Sequence, residues 1–93
     1  NTYIGHQAGK GASGQSNSAN TAVGKGALLA ITDGGNNVVV GLSAGASITT
    51  GDSNVLIGKE AGDGFDTEGQ NVAIGDQAGQ NQTTSEKNTF VGR

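Results

Sequence analysis

The stretch Asn54–Gly62, with the sequence NVLIGKEAG, decides the fold of this 93-residue chain because it recurs along its whole length. The repeating unit reads N-[TV]-x-[IV]-G-x-x-A-G and is followed by a mostly polar stretch; positions within a unit are counted from its Asn. The spacing of the units is constant, except that the first unit is longer than the others by two residues. The units start at Asn1, Asn20, Asn37, Asn54, Asn71 and, as a partial unit, Asn88.

A unit of about 17 residues suits one coil of a solenoid and is too short for the helical pairs of common repeat proteins. Equivalent residues of neighbouring coils then stack about 4.8 Å apart, the spacing of paired strands. We therefore predict an all-β, parallel β-solenoid (a β-roll or β-helix) with about 17 residues per coil, forming residues 1–93 as one oligomeric segment. The two extra residues of the first unit fall within 10–19, where we expect a surface loop.

Positions 2 and 4 are β-branched in every unit, as a strand favours, and side chains alternate between the two faces of a strand. We expect both positions to point into the coil, and the Gly at position 5 to let the chain turn without a Cβ penalty. The six Asn residues that start the units form what we call the Asn column, and they are predicted structural residues. The others are Ile4, Val23, Val40, Ile57, Ile74, Val91, Gly5, Gly24, Gly41, Gly58, Gly75 and Gly92.

Position 3 points outward in this scheme, although it is apolar in every unit. A continuous apolar stripe on an outer surface favours burial against other chains over free solvation. The predicted interface residues are Tyr3, Val39, Leu56 and Phe90.

Two further columns suit the interior of a narrow coil. Ala occupies position 8 of each complete unit, where only a methyl group would fit, and position 12 holds Ile31, Ile48 and Phe65. Stacked Asn side chains at position 1 can form an amide ladder, as in other in-register parallel stacks. The alternative is that Asn merely tolerates a turn conformation at this point.

Composition excludes several classes of protein. The chain has 18 Gly, a formal net charge of −3, and no Pro, Cys, Met or Trp. A disulfide framework is therefore excluded, and no apolar run approaches the roughly 18 residues of a transmembrane helix, so membrane insertion is not expected. Five basic residues against eight acidic ones disfavour nucleic-acid binding.

The repeat resembles the head units of trimeric autotransporter adhesins of the Yersinia adhesin type, and Asn71–Gly75 (NVAIG) and Asn20–Gly24 (NTAVG) carry the resemblance best. It is also similar to the N-T-x-[IV]-G-x-x-A-G repeats of phage tail-fibre-like proteins. The adhesin heads form parallel β-rolls with three chains side by side, and their unit is shorter than this one. The resemblance implies a structural segment of an extracellular, cell-surface or virion fibre. Its partner would be the chain itself, as a homotrimer or an end-to-end filament, with a host-surface or matrix ligand as a further possibility.

No recurring constellation predicts an enzyme. His6 is the one His, and it has no Ser or acid partner at a recurring position, so neither catalysis nor a cofactor is expected. Calcium is the one metal alternative, since oxygen ligands could come from acids in Gly-rich turns. Those acids are Asp33, Asp52, Asp63 and Asp66.

Two binding functions remain as alternatives to a fibre. Ice binding needs a flat Thr array, but the two Thr columns adjoin in sequence and must alternate between faces. They are Thr32, Thr49 and Thr83, and Thr50, Thr67 and Thr84. Carbohydrate or matrix binding could use the few aromatic side chains as platforms: Tyr3, Phe65 and Phe90.

Overall fold

Each Asn of the repeat is followed at once by a three-residue β-strand in the computed structural model, which describes residues 1–11, 16–81 and 86–93. The strands are β1 (Thr2–Ile4), β2 (Thr21–Val23), β3 (Val38–Val40), β4 (Val55–Ile57), β5 (Val72–Ile74) and β6 (Thr89–Val91). They form one six-stranded sheet in the order β1-β2-β3-β4-β5-β6. Every neighbouring pair is parallel and pairs equivalent repeat positions, for example Leu56 with Ala73.

Outside the strands, the described residues of each coil lie mostly in turns and bends that hydrogen-bond to neighbouring coils. On one side the Gly45 N–H donates to the Ala61 carbonyl at 2.9 Å, and on another the Ser53 N–H donates to the Gly35 carbonyl at 2.9 Å. These bonds join residues one repeat apart or nearly so, hence the chain makes one circuit per unit. The predicted parallel β-solenoid, with one repeat unit in each coil, is confirmed. The expected loop within 10–19 lies partly outside the described residues.

Glycine at position 5 is a steric necessity. At Gly58 the backbone has φ of +134°, a conformation that L side chains rarely adopt, and a Cβ there would overlap the carbonyl oxygen of Gly75 in the next coil. All six position-5 glycines have positive φ. The predicted turn is confirmed, and close stacking of the coils is a second reason for it.

The two faces of the strands are the reverse of those we predicted. Leu56 and Val39, expected at an interface with other chains, are completely buried in the core, and Tyr3 and Phe90 pack partly buried against it. The position-4 residues expected inside are exposed or half-buried: Ile4, Val23, Val40, Ile57, Ile74 and Val91. The core therefore uses position 3, and positions 2 and 4 face out.

The Asn column explains this reversal. Asn37, Asn54 and Asn71 are fully buried at position 1. Because side chains alternate along a strand, an inward position 1 requires an inward position 3 and outward positions 2 and 4. From the sequence we did not assign the Asn ladder to the interior, yet a buried ladder at position 1 and an inward position 4 are mutually incompatible. This conflict was the signal in the sequence that could have corrected the assignment.

The interior is narrow, and a large side chain at one position is matched by a small residue at the position facing it. In β4 the large Leu56 lies opposite Gly62, where an added Cβ would be 2.7 Å from its Cδ2 atom. In the coil that contains β2, Ala22 is small and the equivalent of Gly62 is Leu28, which is fully buried. The predicted inner columns at positions 8 and 12 are confirmed, and their fully or almost fully buried members are Ala27, Ala44, Ala61, Ala78, Ile31, Ile48 and Phe65.

Candidate functional surfaces

A ladder of buried Asn side chains runs along the solenoid. The Asn54 Nδ2 donates to Asn37 Oδ1 at 3.1 Å, and the Asn37 Nδ2 donates to Asn20 Oδ1 at 3.0 Å. Each Oδ1 also accepts the backbone N–H of the next Asn, at 2.9 Å from Asn54 to Asn37. The Asn54 Nδ2 further reaches the Glu68 carbonyl at 2.9 Å. The predicted ladder is confirmed, and it ties the strand to the last turn of its own coil.

The outward side chains of β1 to β6 form a regular apolar surface, which we call the aliphatic face. Val38 is 41% exposed, and Ile57 and Ile74 are 38% and 39% exposed. No member is charged, and every one is β-branched and therefore stiff about its first side-chain torsion. The members are Thr2, Ile4, Thr21, Val23, Val38, Val40, Val55, Ile57, Val72, Ile74, Thr89 and Val91.

A polar groove of about 380 Å³ lies at positions 14 to 17 of successive coils. Thr50 and Thr67 line it from position 14, and Asn36, Ser53 and Gln70 line it from position 17. The position-17 residues have φ of 59°, 61° and 62°, a left-handed conformation that places them alike in each coil. No residue that lines the groove belongs to the aliphatic face. Sequence analysis missed this groove because its residues are distant in the chain.

The carboxylates considered for calcium lie in the turns, and three of them accept hydrogen bonds there. Asp52 Oδ1 accepts the Gly35 N–H at 2.6 Å, and Asp33 Oδ1 accepts the Ser16 N–H at 3.1 Å. Asp66 Oδ1 accepts the Thr49 hydroxyl. Across the part of the chain that the structure describes, no three His, Cys, Asp or Glu residues come together as a metal site.

Two glutamines and a second carboxyl, that of Asp63, lie near the Glu60 carboxylate. The Glu60 carboxylate accepts hydrogen bonds from the Nε2 of Gln77 at 2.9 Å and of Gln80 at 3.3 Å. Partial burial raises the pKa of the Asp63 carboxyl, repulsion from Glu60 raises it further, and a hydrogen bond with Ser47 opposes both. The hydrogen bonds of Glu60 and Asp63 join neighbouring coils, whereas the repulsion between the two carboxyls acts within one coil.

The residues considered for ice and sugar binding lie in different environments, and Thr50 and Thr67 line the groove. The Thr32 hydroxyl donates to the Thr49 carbonyl at 3.0 Å and the Thr49 hydroxyl to Asp66, so this column is engaged within the protein. Thr83 and Thr84 lie outside the described residues. Phe65 is fully buried and cannot be a platform, and the Tyr3 hydroxyl donates to Asn17 Oδ1 at 2.8 Å. His6 is exposed on a turn.

Comparison with known proteins identifies no relative: no family model, curated protein or solved structure matches the chain. The class that the fold defines is thus a β-solenoid repeat protein. Within residues 1–11, 16–81 and 86–93, no helix is long and apolar enough to cross a membrane.

Proposed function

We propose that this chain is a structural segment of an extracellular or virion fibre, in which copies associate laterally through the aliphatic face. The proposal rests on the aliphatic face, because all of its residues are β-branched and none is charged. A freely solvated rod gains nothing from such a surface, whereas burial between copies removes it from water. The face replaces the position-3 stripe as the expected interface.

The size of the face sets the expected strength of association. Five strand spacings of about 4.8 Å and a width of about 10 Å give a projected area of roughly 240 Å². This is well below the roughly 800 Å² that each partner contributes to a standard interface. We therefore expect weak, concentration-dependent association of the 93-residue chain, which strengthens with each additional coil.

Sedimentation tests the proposal directly. The variant Ile57→Asp places a charge at the centre of the face, on a side chain that is 38% exposed in the single chain. We expect it to keep its β-type circular dichroism and to remain monomeric at concentrations where the unmodified chain associates. Leu29→Asp is the matched control, because Leu29 is 36% exposed but lies outside the face.

Each sedimentation result has a definite meaning. A discrete trimer would indicate side-by-side packing, as the resemblance implies, whereas an open series of sizes would indicate a filament. Equal association of Ile57→Asp and the unmodified chain would show that the face is not the interface. A chain that stays monomeric up to millimolar concentration would overturn lateral association altogether.

Ice binding is a second candidate, favoured by the regularity of the same face. The in-register pairing of β1 to β6 repeats stiff side chains about every 4.8 Å in a regular array, with Thr2, Thr21 and Thr89 adding hydroxyl groups. A thermal hysteresis assay separates the two functions. Ice binding predicts a freezing-point gap for the monomer that Ile57→Asp abolishes and Leu29→Asp retains, and absence of any gap removes this candidate.

A further inference from the structure

The polar groove brings together several side chains whose hydrogen-bonding groups are not used within the protein. Within the described residues, the side chains of Asn36, Ser53, Gln70, Thr50 and Thr67 form no hydrogen bond with another protein group. Some turn side chains outside the groove bind each other, as Gln77 and Gln80 do to Glu60, and others, such as Gln7, lie singly on exposed turns. The groove therefore offers a concentration of amide and hydroxyl groups that only solvent or a ligand can satisfy.

The framework beneath these groups is ordered. The carboxylate of Asp52, which also lines the groove, is held by the Gly35 N–H at 2.6 Å. Backbone bonds of 2.9 Å from Ser53 to Gly35 and from Gln70 to Asp52 join the coils along the groove. A ligand would thus meet side chains carried on a fixed backbone, which limits the entropic cost of binding to the ordering of those side chains.

The chemistry of the lining selects the kind of ligand. Hydroxyl and carboxamide groups can each donate and accept hydrogen bonds. Charge contributes little, because the acidic Asp52 and Glu86 are offset in part by Lys87. A polyhydroxylated neutral ligand, which donates and accepts in the same way, fits this lining better than an anion or a cation does.

The repeat selects the shape of the ligand. Asn36, Ser53 and Gln70 occupy the same position in three consecutive coils, about 4.8 Å apart along the axis. An extended polymer lying parallel to the axis meets an equivalent polar side chain at every coil, so that weak contacts add up. We propose that the groove binds an extended, neutral oligosaccharide chain along the solenoid axis, through amide and hydroxyl side chains and without aromatic platforms.

Titration of the ¹⁵N-labelled chain with defined hexasaccharides tests the proposal. Cellohexaose and fully N-acetylated chitohexaose (hereafter chitohexaose) are neutral, extended β-1,4-linked probes, and maltohexaose is an α-1,4-linked probe that coils. We expect the β-linked probes to shift backbone amide signals at 35–36, 50–53 and 67–70, with a Kd on the order of 1 mM. Maltohexaose should leave those signals unchanged.

A matched pair of variants localises the binding. Gln70→Gly removes one side-chain amide from the groove, and Gln7→Gly removes the same group from an exposed turn outside it. The two residues have nearly the same backbone conformation, with φ of 62° at Gln70 and 61° at Gln7. Gly accepts this conformation without strain, so both variants should fold. We expect Gln70→Gly to weaken cellohexaose or chitohexaose binding about fivefold, the value of one hydrogen bond, and Gln7→Gly to leave it unchanged.

The outcomes either support or overturn the proposal. Absence of amide shifts with both β-linked probes at about 10 mM, or shifts confined to other surfaces, overturns it. Equal losses in both variants overturn the assignment to the groove, and equal binding of maltohexaose overturns the extended shape. Ile57→Asp should bind the probes as the unmodified chain does, so failure of lateral association and failure of sugar binding are distinguishable.

Discussion

The substitution Asn54→Asp tests whether the Asn ladder stabilises the solenoid. Asn54 is fully buried, and its Nδ2 donates to Asn37 Oδ1 at 3.1 Å and to the Glu68 carbonyl at 2.9 Å. Its Oδ1 accepts the Asn71 N–H at 3.0 Å. Asp has almost the same shape and keeps this acceptor, but it has no donor for the other two oxygens.

The expected loss of stability is large. Two donated hydrogen bonds disappear, and two buried acceptor oxygens then face a carboxylate oxygen. Leaving buried groups unsatisfied beside an uncompensated charge costs about 4 kcal/mol in total. This is a large part of the roughly 10 kcal/mol that stabilises a typical domain. We expect urea unfolding, followed by circular dichroism at pH 7, to show a loss of this size or an unfolded variant.

The loss should depend on pH in a defined direction. Burial and the two facing oxygens disfavour the charged form, so they raise the pKa of the introduced carboxyl in the folded state above its unfolded value of about 4. The penalty is therefore complete above the folded pKa. It shrinks as the pH falls through that pKa, because the protonated carboxyl can donate to one of the oxygens.

Asn36→Asp is the matched control, since Asn36 is exposed and its side chain makes no hydrogen bond within the described residues. It should change stability by less than about 0.5 kcal/mol at pH 7. Equal stabilities for the two variants at pH 7 would refute the structural role of the ladder. A gap between them that widened as the pH fell would refute the electrostatic explanation.

Two further predictions concern the faces of the strand and its turn. Leu56→Ala should lower the free energy of unfolding by about 3 kcal/mol, whereas Ile57→Ala should lower it by about 1 kcal/mol in the monomer. Urea denaturation at low protein concentration measures both values. The opposite order would restore our first assignment of the faces. Gly58→Ala should lower the free energy of unfolding by about 3 kcal/mol or more, because the new Cβ meets the Gly75 carbonyl. At Gly26, where φ is 70°, an added Cβ makes only ordinary contacts, so Gly26→Ala should lower the free energy of unfolding by about 1 kcal/mol. Equal melting temperatures for the two glycine variants would contradict the close stacking.

The candidate surfaces were less predictable than the fold. The groove exists because Asn36, Ser53 and Gln70, each one repeat unit from the next in sequence, are stacked by the solenoid. Thr50 and Thr67 adjoin them only through the path of the turn. Neither the local sequence nor the repeat alone indicates whether such a turn is filled or open.

The sequence by itself determined the period of the solenoid, the turn at Gly58 and the stacking of Asn54 with its equivalents, because each depends on spacing and on what one residue type can do. Only the tertiary structure decided that Leu56 is inside and Ile57 outside. The physical reason is that alternation specifies which residues share a face, whereas the side to which the chain closes specifies which face becomes the interior.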